Sequence, residues 1–482
     1  MISLSDFSPL SAPLLILISL PIFWCLFMLF IKSGNKTPPM PPGPRGLPIV
    51  GYLPFLRPDM HIQFTELARQ YGPIYKLWLG TKLCTVISST SLVKEIIRDH
   101  DTIFANRDST IATRICSYNE NDIGFCPYNS GWRTRRKLFV HDMLSNSSLD
   151  ATFSLRKDES ECYNEHGVGK HVVGERKDRI EVALSPLVER SFDLVGKPNV
   201  SDFFPVLARF DIQGVEKELR NIMQRVDEII EDIINERTKV GGGGNKNGGR
   251  LDFLQMLMEL SEKEDVKTEI GRTQIKAMIA VSSLLLRFAY DSQYHLGYHN
   301  SRTDTSAATI EWVMADCMHN PEVIEKAQKE LNEVVGLNNI VEDFHIPKLV
   351  YLDAVIKETL RIRPIGPFLT PRTPSQSCIV GGGNNFNYIP FGSGRRICAG
   401  LPLAERMLKY VLASLLHSFD WQPPKGEIVD MEGRFGVVLK KSTPLIAIPS
   451  PRVSKRGRKS FRTPIGTDET EETMANGCFQ KL

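Results

Sequence analysis

The chain has 482 residues, 42% hydrophobic and 24% charged, a globular composition that excludes a disordered or fibrous polymer. Its 59 lysines and arginines against 56 acids leave a net charge of +3, too near neutrality for the electrostatic footprint of a nucleic-acid binder. The nine cysteines are odd in number and scattered without the short paired spacings of a zinc site, which points to a reducing compartment.

From Leu10 to Ile31 the chain carries no charge. At about 1.5 Å per residue that run is long enough to cross a bilayer core of about 30 Å. Asp6 precedes it and Lys32, Lys36 and Arg45 follow, which predicts an uncleaved single-pass anchor over residues 1–37 with the rest of the chain cytosolic. Residues 38–48 are proline-rich, and their locked φ angles make a stiff hinge. A main domain follows over 49–450.

Within that domain Phe64, Leu67 and Ala68 share a helical face, and Leu77-Trp78-Leu79 with Thr85-Val86-Ile87 read as strands. Apolar periodicity predicts helices over 213–238, 251–262, 305–319, 321–335, 351–361 and 403–419, with strand-like pieces near both ends. The fold class is therefore mainly α with a minor β part. Residues 158–190 are charge-rich and read as a solvated segment; Gly241 to Gly249 read as a flexible loop, and 451–482 as a disordered polar tail.

Phe391-Gly392-Ser393-Gly394-Arg395-Arg396-Ile397-Cys398-Ala399-Gly400 leads into a helix with Leu408, Val411, Leu412, Leu415, Leu416 and Phe419 on one face. Cys398 thus precedes a helix start, where the macrodipole and free N–H groups favour thiolate over thiol. The nearby glycines allow close approach to a flat ligand, and a thiolate beside a planar cofactor suggests haem ligation. For a lone cysteine, inert burial remains the competing reading.

Phe391, Gly394, Arg396, Cys398 and Gly400 fit the Phe-x-x-Gly-x-Arg-x-Cys-x-Gly signature, and the chain resembles the cytochrome P-450 haem-thiolate monooxygenases. It looks most like the plant microsomal type acting on terpenoids or phenolics, because the Pro-Pro-Gly-Pro hinge at 41–44, Phe104-Ala105-Asn106-Arg107 and Asp202 through Gly214 agree in order. The resemblance implies a cytochrome P-450 fold behind an N-terminal transmembrane helix. It implies haem held by Cys398, with Phe391 packed near the sulfur and Gly394 and Gly400 close to the cofactor. Trp132, Arg136, Arg372 and Arg396 would contact the haem propionates, Arg matching a carboxylate through its planar fork. Glu358 and Arg361 would form the structural Glu-x-x-Arg pair of the core beneath the haem. Asp304 and Thr305 would be the oxygen-side catalytic acid and alcohol. The implied partners are an NADPH-dependent reductase, the endoplasmic reticulum membrane and a small hydrophobic substrate.

The chain departs from that pattern in three places. Ser301-Arg302 stands where the family has a small residue and glycine, after a polar, poorly periodic stretch at 287–300. Part of the sheet and meander region is missing between Gly382 and Gly383, where the family carries two strands and a Pro-Glu-Arg-Phe motif. The charge-rich 158–190 replaces apolar helices. A second reading is therefore a noncatalytic, mis-spliced or truncated relic unable to hold haem productively.

Overall fold

The computed structural model describes residues 40–151, 178–239, 253–262, 270–280, 305–378 and 388–452, with the single position 19. Apart from Ser19 the run Leu10–Ile31 lies outside these residues, as do the glycine loop, Asp304 and the junction at Gly382. Among the described residues no helix is long and apolar enough to cross a membrane.

Residues up to Ser89 group as one unit. Helix α1 (Met60–Tyr71) precedes an antiparallel hairpin of β1 (Ile74–Leu79) and β2 (Lys82–Ile87) in which Tyr75 pairs with Val86 and Leu77 with Cys84. The period switches from 3.6 to 2 across Gly72, which caps α1 at φ 97°, a value that favours glycine. Leu67, Tyr75 and Leu77 form a small core, and the Tyr75 hydroxyl donates to the Phe64 carbonyl at 3.0 Å.

The second unit, from Thr90, holds the main core. Its principal helices are α2 (Ile111–Cys116), α3 (Ser130–Leu138), α4 (Asp178–Val195), α5 (Val215–Lys239), α6 (Phe253–Glu262), α7 (Thr305–His319), α8 (Pro321–Val334), α9 (Val350–Ile362) and α10 (Leu401–Ser418). Helix α7 packs against α8, α9 and α10. Its residues Ala308, Ile310, Trp312, Val313, Met314, Ala315 and Cys317 are all buried, so it is covered on nearly every side, as a central core helix must be. Helix α10 buries Leu403, Leu408, Leu412 and Leu416. Each such side chain contributes about 1.5–3 kcal/mol of transfer free energy.

Among the described residues the strands of this unit pair in twos: β3 (Asn106–Arg107) with β4 (Arg372–Thr373), β5 (Phe419–Gln422) with β8 (Ile448–Pro451), and β6 (Gly433–Phe435) with β7 (Leu439–Lys441). The mainly helical fold with small sheets matches the fold class expected from the sequence.

One expectation is corrected. The charge-rich stretch is not solvated throughout, because from Asp178 it becomes α4. Leu187, Ser191 and Leu194 follow one another at helical spacing and are buried against α5, while Arg190 faces out to Glu218 with Nε 2.6 Å from the carboxylate. Residues 158–177 lie outside the described residues.

Candidate functional site

The loop before α10 is built from its backbone outward. The Phe391 carbonyl accepts the Cys398 N–H at 2.9 Å, closing the loop on itself. Gly394 turns at φ 69°, and a Cβ there would lie 2.2 Å from the Ile97 carbonyl oxygen and 2.7 Å from Asp101 Oδ1, so this position admits glycine alone. The Arg395 N–H donates to Asp101 Oδ2 at 3.0 Å. Gly400 is the N-cap of α10, and a Cβ on it would meet the Cys398 sulfur at 3.9 Å.

At Cys398, burial pushes the thiol pKa up, while the Gly400 N–H, Arg136 and the Leu401 N–H pull it down. Desolvation wins, which corrects the expectation that the helix start alone favours thiolate: two N–H groups and one guanidinium do not replace the lost hydration. A cation bound at the sulfur would supply the missing stabilisation and displace the proton.

Arginines converge beside this cysteine. Buried Arg396 donates through Nε to the Ala105 carbonyl at 2.6 Å and through Nη1 and Nη2 to the carbonyls of Ile123, Gly124 and Cys126. Its guanidinium also lies 4.5 Å from the centroid of the Trp132 ring. Trp132, on α3, is buried and donates from Nε1 to the Ile123 carbonyl at 2.9 Å. Arg136, one helical turn on, donates to the Ile397 carbonyl. Arg372 donates to the carbonyls of Phe104 at 3.3 Å and Ser393 at 3.1 Å and stands 3.6 Å from Asp101.

Arg107 is the residue that sequence reasoning passed over, although its tetrapeptide was noted. It sits directly opposite Arg372 in the β3–β4 ladder, a like-charge pairing that is unfavourable without an anion. Its Nη1 donates to the Thr370 carbonyl at 2.6 Å, and its buried Nε has no partner among the described residues. Burial, followed by Arg372, Arg396 and Arg136, lowers its pKa to about 9, and burial lowers that of Arg396 to about 10. Asp122, a buried acid that acts electrostatically on Arg107 and Arg396, has its own pKa raised by burial. The signal available in the sequence was the two-residue strand itself, which is too short to be read from periodicity.

A cavity of about 500 Å³ opens beside this cluster. Arg107, Arg136, Arg372, Arg396, Phe391 and Cys398 line one part of it. The remainder is largely apolar, with Leu184, Val188 and Val195 from α4, Ile365 and Leu369 after α9, and Val437 and Val438 between β6 and β7. Thr305, Ser306 and Thr309 of α7 also border the space. The Thr309 hydroxyl donates to the Thr305 carbonyl at 2.6 Å. Asp304 lies outside the described residues.

Glu358 and Arg361 stand elsewhere and require a correction. They pair with each other, Nη2 to Oε1 at 2.7 Å, but their side chains are 56% and 57% exposed and not in a core. Nothing from the 379–387 junction is described against them. The ion pair that α9 buries is a different one: Arg363 Nη1 lies 2.6 Å from Asp316 Oδ1 on α7, with both side chains under 20% exposed. The Arg363 guanidinium is also 4.8 Å from the centroid of the Trp312 ring.

The donor set fits haem on three counts. Four arginines whose pKa values are all lowered, chiefly by burial and for Arg107 and Arg396 also by their neighbouring arginines, together with one orphaned Nε, call for anionic oxygens, which two propionates provide. Cys398 lines the same cavity; the other cysteine there, Cys116, has its thiol pushed up to about 12 by burial, so Cys398 is the better ligand of the two. Gly400 keeps side-chain bulk away from the Cys398 sulfur.

Comparison with known proteins agrees. The cytochrome P450 family model matches residues 41–166, 301–384 and 380–448. The last two pieces meet at 380–384, where the sequence had placed a missing segment. A flavonoid 3'-monooxygenase of Crocosmia x crocosmiiflora is 30% identical over 510 aligned positions, covering 89% of this chain and 96% of the relative. That alignment is longer than the 482-residue chain, so the relative carries residues that this chain lacks. A 3,9-dihydroxypterocarpan 6A-monooxygenase of Glycine max is 29% identical, covering 92% and 98%. Among solved structures, a zebra fish cytochrome P450 with progesterone superposes at a TM-score of 0.62 with 22% identity, covering 82% of this chain and 98% of that one. On its family-model match and its relatives together, the chain belongs to the cytochrome P450 family, whose cofactor is haem with a cysteine thiolate ligand.

Proposed function

We propose that the protein is a haem-dependent monooxygenase that hydroxylates a small hydrophobic phenolic secondary metabolite. The observation that carries this reading is the cavity in which Cys398, four arginines and an apolar wall meet. The flavonoid and pterocarpan monooxygenases among its relatives support the phenolic class. An apolar wall with few polar groups suits a flat aromatic ligand, held by shape more than by hydrogen bonds.

Cys398 would hold the iron, and Arg107, Arg136 and Arg372 would hold the propionates. Trp132 and Arg396 would act mainly by fixing the backbone around them, since the Arg396 donors already reach four carbonyls. Bound haem supplies the dioxygen chemistry, in which one oxygen atom enters the substrate, the other leaves as water, and two electrons and two protons are consumed. The chain's own part is to exclude bulk water with the apolar wall and to orient the substrate. Thr305, at the first turn of α7, would hold a proton at its hydroxyl oxygen on the cavity side, with Asp304 beside it in sequence. Electrons would come from an NADPH-dependent reductase, and an anchor at Leu10–Ile31 would keep the enzyme on the endoplasmic reticulum membrane.

The reading of a noncatalytic relic is the weaker one. The Glu358–Arg361 pair is exposed, whereas the Cys398 loop is held by its own contacts to Asp101, Ala105 and the 123–126 carbonyls. The test is a carbon monoxide difference spectrum of the reduced, haem-reconstituted protein. The red-shifted thiolate band is expected, and it should vanish in Cys398→Ser; its absence from the unmodified chain would overturn the proposal.

A further inference from the structure

Asp122 lines the cavity beside the arginines and is 2% exposed, yet among the described residues no cation touches it. Its charge is met by backbone instead. Oδ1 accepts the N–H groups of Phe125 at 2.8 Å and Cys126 at 3.1 Å, and the Gly124 N–H also stabilises the carboxylate. Arg396 reaches the same turn from the other side, its Nη1 lying 3.3 Å from both the Ile123 and the Gly124 carbonyl oxygens. The Gly124 C=O and the Phe125 N–H belong to one planar trans peptide, in which they point in opposite directions; so do the Ile123 C=O and the Gly124 N–H. Two successive peptide groups therefore stand between guanidinium and carboxylate, each with its oxygen toward the cation and its hydrogen toward the anion. Both dipoles lie along the field of the pair, and hydrogen bonds in such a chain polarise one another. A Cβ at Gly124 would lie 3.0 Å from Asp122 Oδ2, so the missing side chain lets the turn close tightly on the acid.

From this geometry we propose that Asp122 is the counter-ion of Arg396, joined to it through the 123–126 peptides rather than by contact, and that its charge at the cavity wall holds down the reduction potential of haem bound there. The second half rests on the haem reading above; the first does not. Asp101 already serves Arg372 and Arg395 directly, at 3.6 and 3.3 Å. With Asp122 assigned to Arg396, the guanidiniums of Arg107, Arg136 and Arg372 remain for the propionates. A negative charge kept at the site favours ferric over ferrous iron, because the ferric centre carries one more positive charge, and the buried surroundings of a haem are among the means by which a protein sets its potential. Burial raises the pKa of the acid, and the three N–H groups and Arg396 oppose that rise. The other titratable groups that feel Asp122 are Arg107 and the thiols of Cys116 and Cys126, and burial pushes both thiols up. The carboxylate is therefore the one negative charge that this turn holds.

The test has one arm with haem and one without. Asp122→Asn keeps a side-chain oxygen for the turn and removes the charge. In a spectroelectrochemical titration of the haem-loaded full chain without substrate, its ratio of ferrous to ferric protein at one fixed applied potential should rise about tenfold, as for the loss of a single buried charge. A residue that only shapes the loop predicts haem retained and that ratio unchanged, and an unchanged or lower ratio would overturn the electrostatic role. If Asp122→Asn takes up no haem, Asp122→Ser decides by the same ratio, since a serine hydroxyl can cap the turn without charge. The second arm is a double-mutant cycle of Asp122→Asn and Arg396→Met, read by urea unfolding of the haem-free full chain. The double variant should lose less stability than the two single losses added together, because in Arg396→Met the acid no longer has a cation to answer. Additive losses would overturn the link through the peptides. An unmodified chain that shows no Soret band after reconstitution would overturn the haem reading and the control of potential with it, while the cycle would still decide whether Asp122 and Arg396 are coupled.

Discussion

Replacing Asp316 with asparagine removes the acidic partner of Arg363 while keeping the side chain's shape. Both groups are mostly buried, and Nη1 and Oδ1 are 2.6 Å apart. Breaking a fully buried pair costs about 3–5 kcal/mol because one charge is left uncompensated. Here each side chain keeps almost a fifth of its exposure, and Arg363 retains the Trp312 ring at 4.8 Å, so a cost of about 2–3 kcal/mol is expected. Burial raises the Asp316 pKa despite Arg363, which shows that the carboxylate is held at real desolvation cost. Glu358→Gln provides the contrast: that carboxylate is exposed and its pair lies in solvent, so stability should not change measurably. Urea unfolding followed by far-ultraviolet circular dichroism gives both values. Equal losses in the two variants, or a larger loss in Glu358→Gln, would refute the assignment of the structural ion pair to Asp316 and Arg363.

Arg107→Ala should weaken haem binding about tenfold to a hundredfold, the loss of one charge-assisted contact of about 1.5–3 kcal/mol. Arg107→Lys should fall between, because an ammonium keeps the charge but not the fork; in the haem-free protein the alanine variant should be no less stable, since a repulsion with Arg372 is relieved. Haem titration and unfolding of the haem-free protein check the two signs separately. Gly394→Ala should cost about 2–5 kcal/mol and abolish haem uptake, because it combines a positive φ with a 2.2 Å collision, and absorbance of the purified variant checks it. Burial lowers the pKa of both His345 and His417 from the ordinary 6.5. The unfolded chain then binds these protons more readily than the native one, so their contribution is fully present above pH 6.5 and is lost as pH falls through the depressed native values. The urea midpoint should drop on acidification in that window, and His417→Asn should reduce the slope; an unchanged slope contradicts the assignment.

Apolar patterning was enough to find the main helices, because α8, α9 and α10 carry apolar faces and α7 is apolar almost all round, and their observed limits lie within a residue or two of those read from the sequence. The Cys398 decapeptide was equally legible, since Gly392 and Gly394 take positive φ and Arg396 binds backbone carbonyls, requirements that a short motif encodes. Helix α4 was hidden because charges at its start and outer face mask an apolar stripe, and Pro186 lies inside it. The exposure of Glu358 and Arg361 could not be read from a three-residue spacing, which fixes that two groups meet but not what covers them. Arg107 escaped for a related reason: its importance comes from Arg372, on a strand far along the chain. The direction of the Cys398 pKa depends on a balance between burial and N–H groups that no local sequence reports.

The contacts that hold the Cys398 loop are separate from the Glu358–Arg361 pair. The Cys398 loop is fixed by Arg396 to the carbonyls of Ala105, Ile123, Gly124 and Cys126, by Arg372 to the Ser393 carbonyl, and by the Arg395 N–H to Asp101. None of these passes through Glu358 or Arg361. Helix α9 holds its place in the core through Leu352, Ile356 and Leu360 and through Arg363 on Asp316. Hydrogen bonds from a buried guanidinium to four carbonyls make the loop's position depend on the 105–126 segment, and charge-assisted bonds of that kind are among the stronger ones available to a backbone. Removing Arg396 should therefore release the cysteine loop and the 105–126 segment together, whereas removing Arg361 should release neither. Hydrogen exchange of the amides of Cys398, Ile123 and Cys126 in Arg396→Met and Arg361→Met distinguishes this arrangement from one in which the Glu358–Arg361 pair still carries the core beneath the haem.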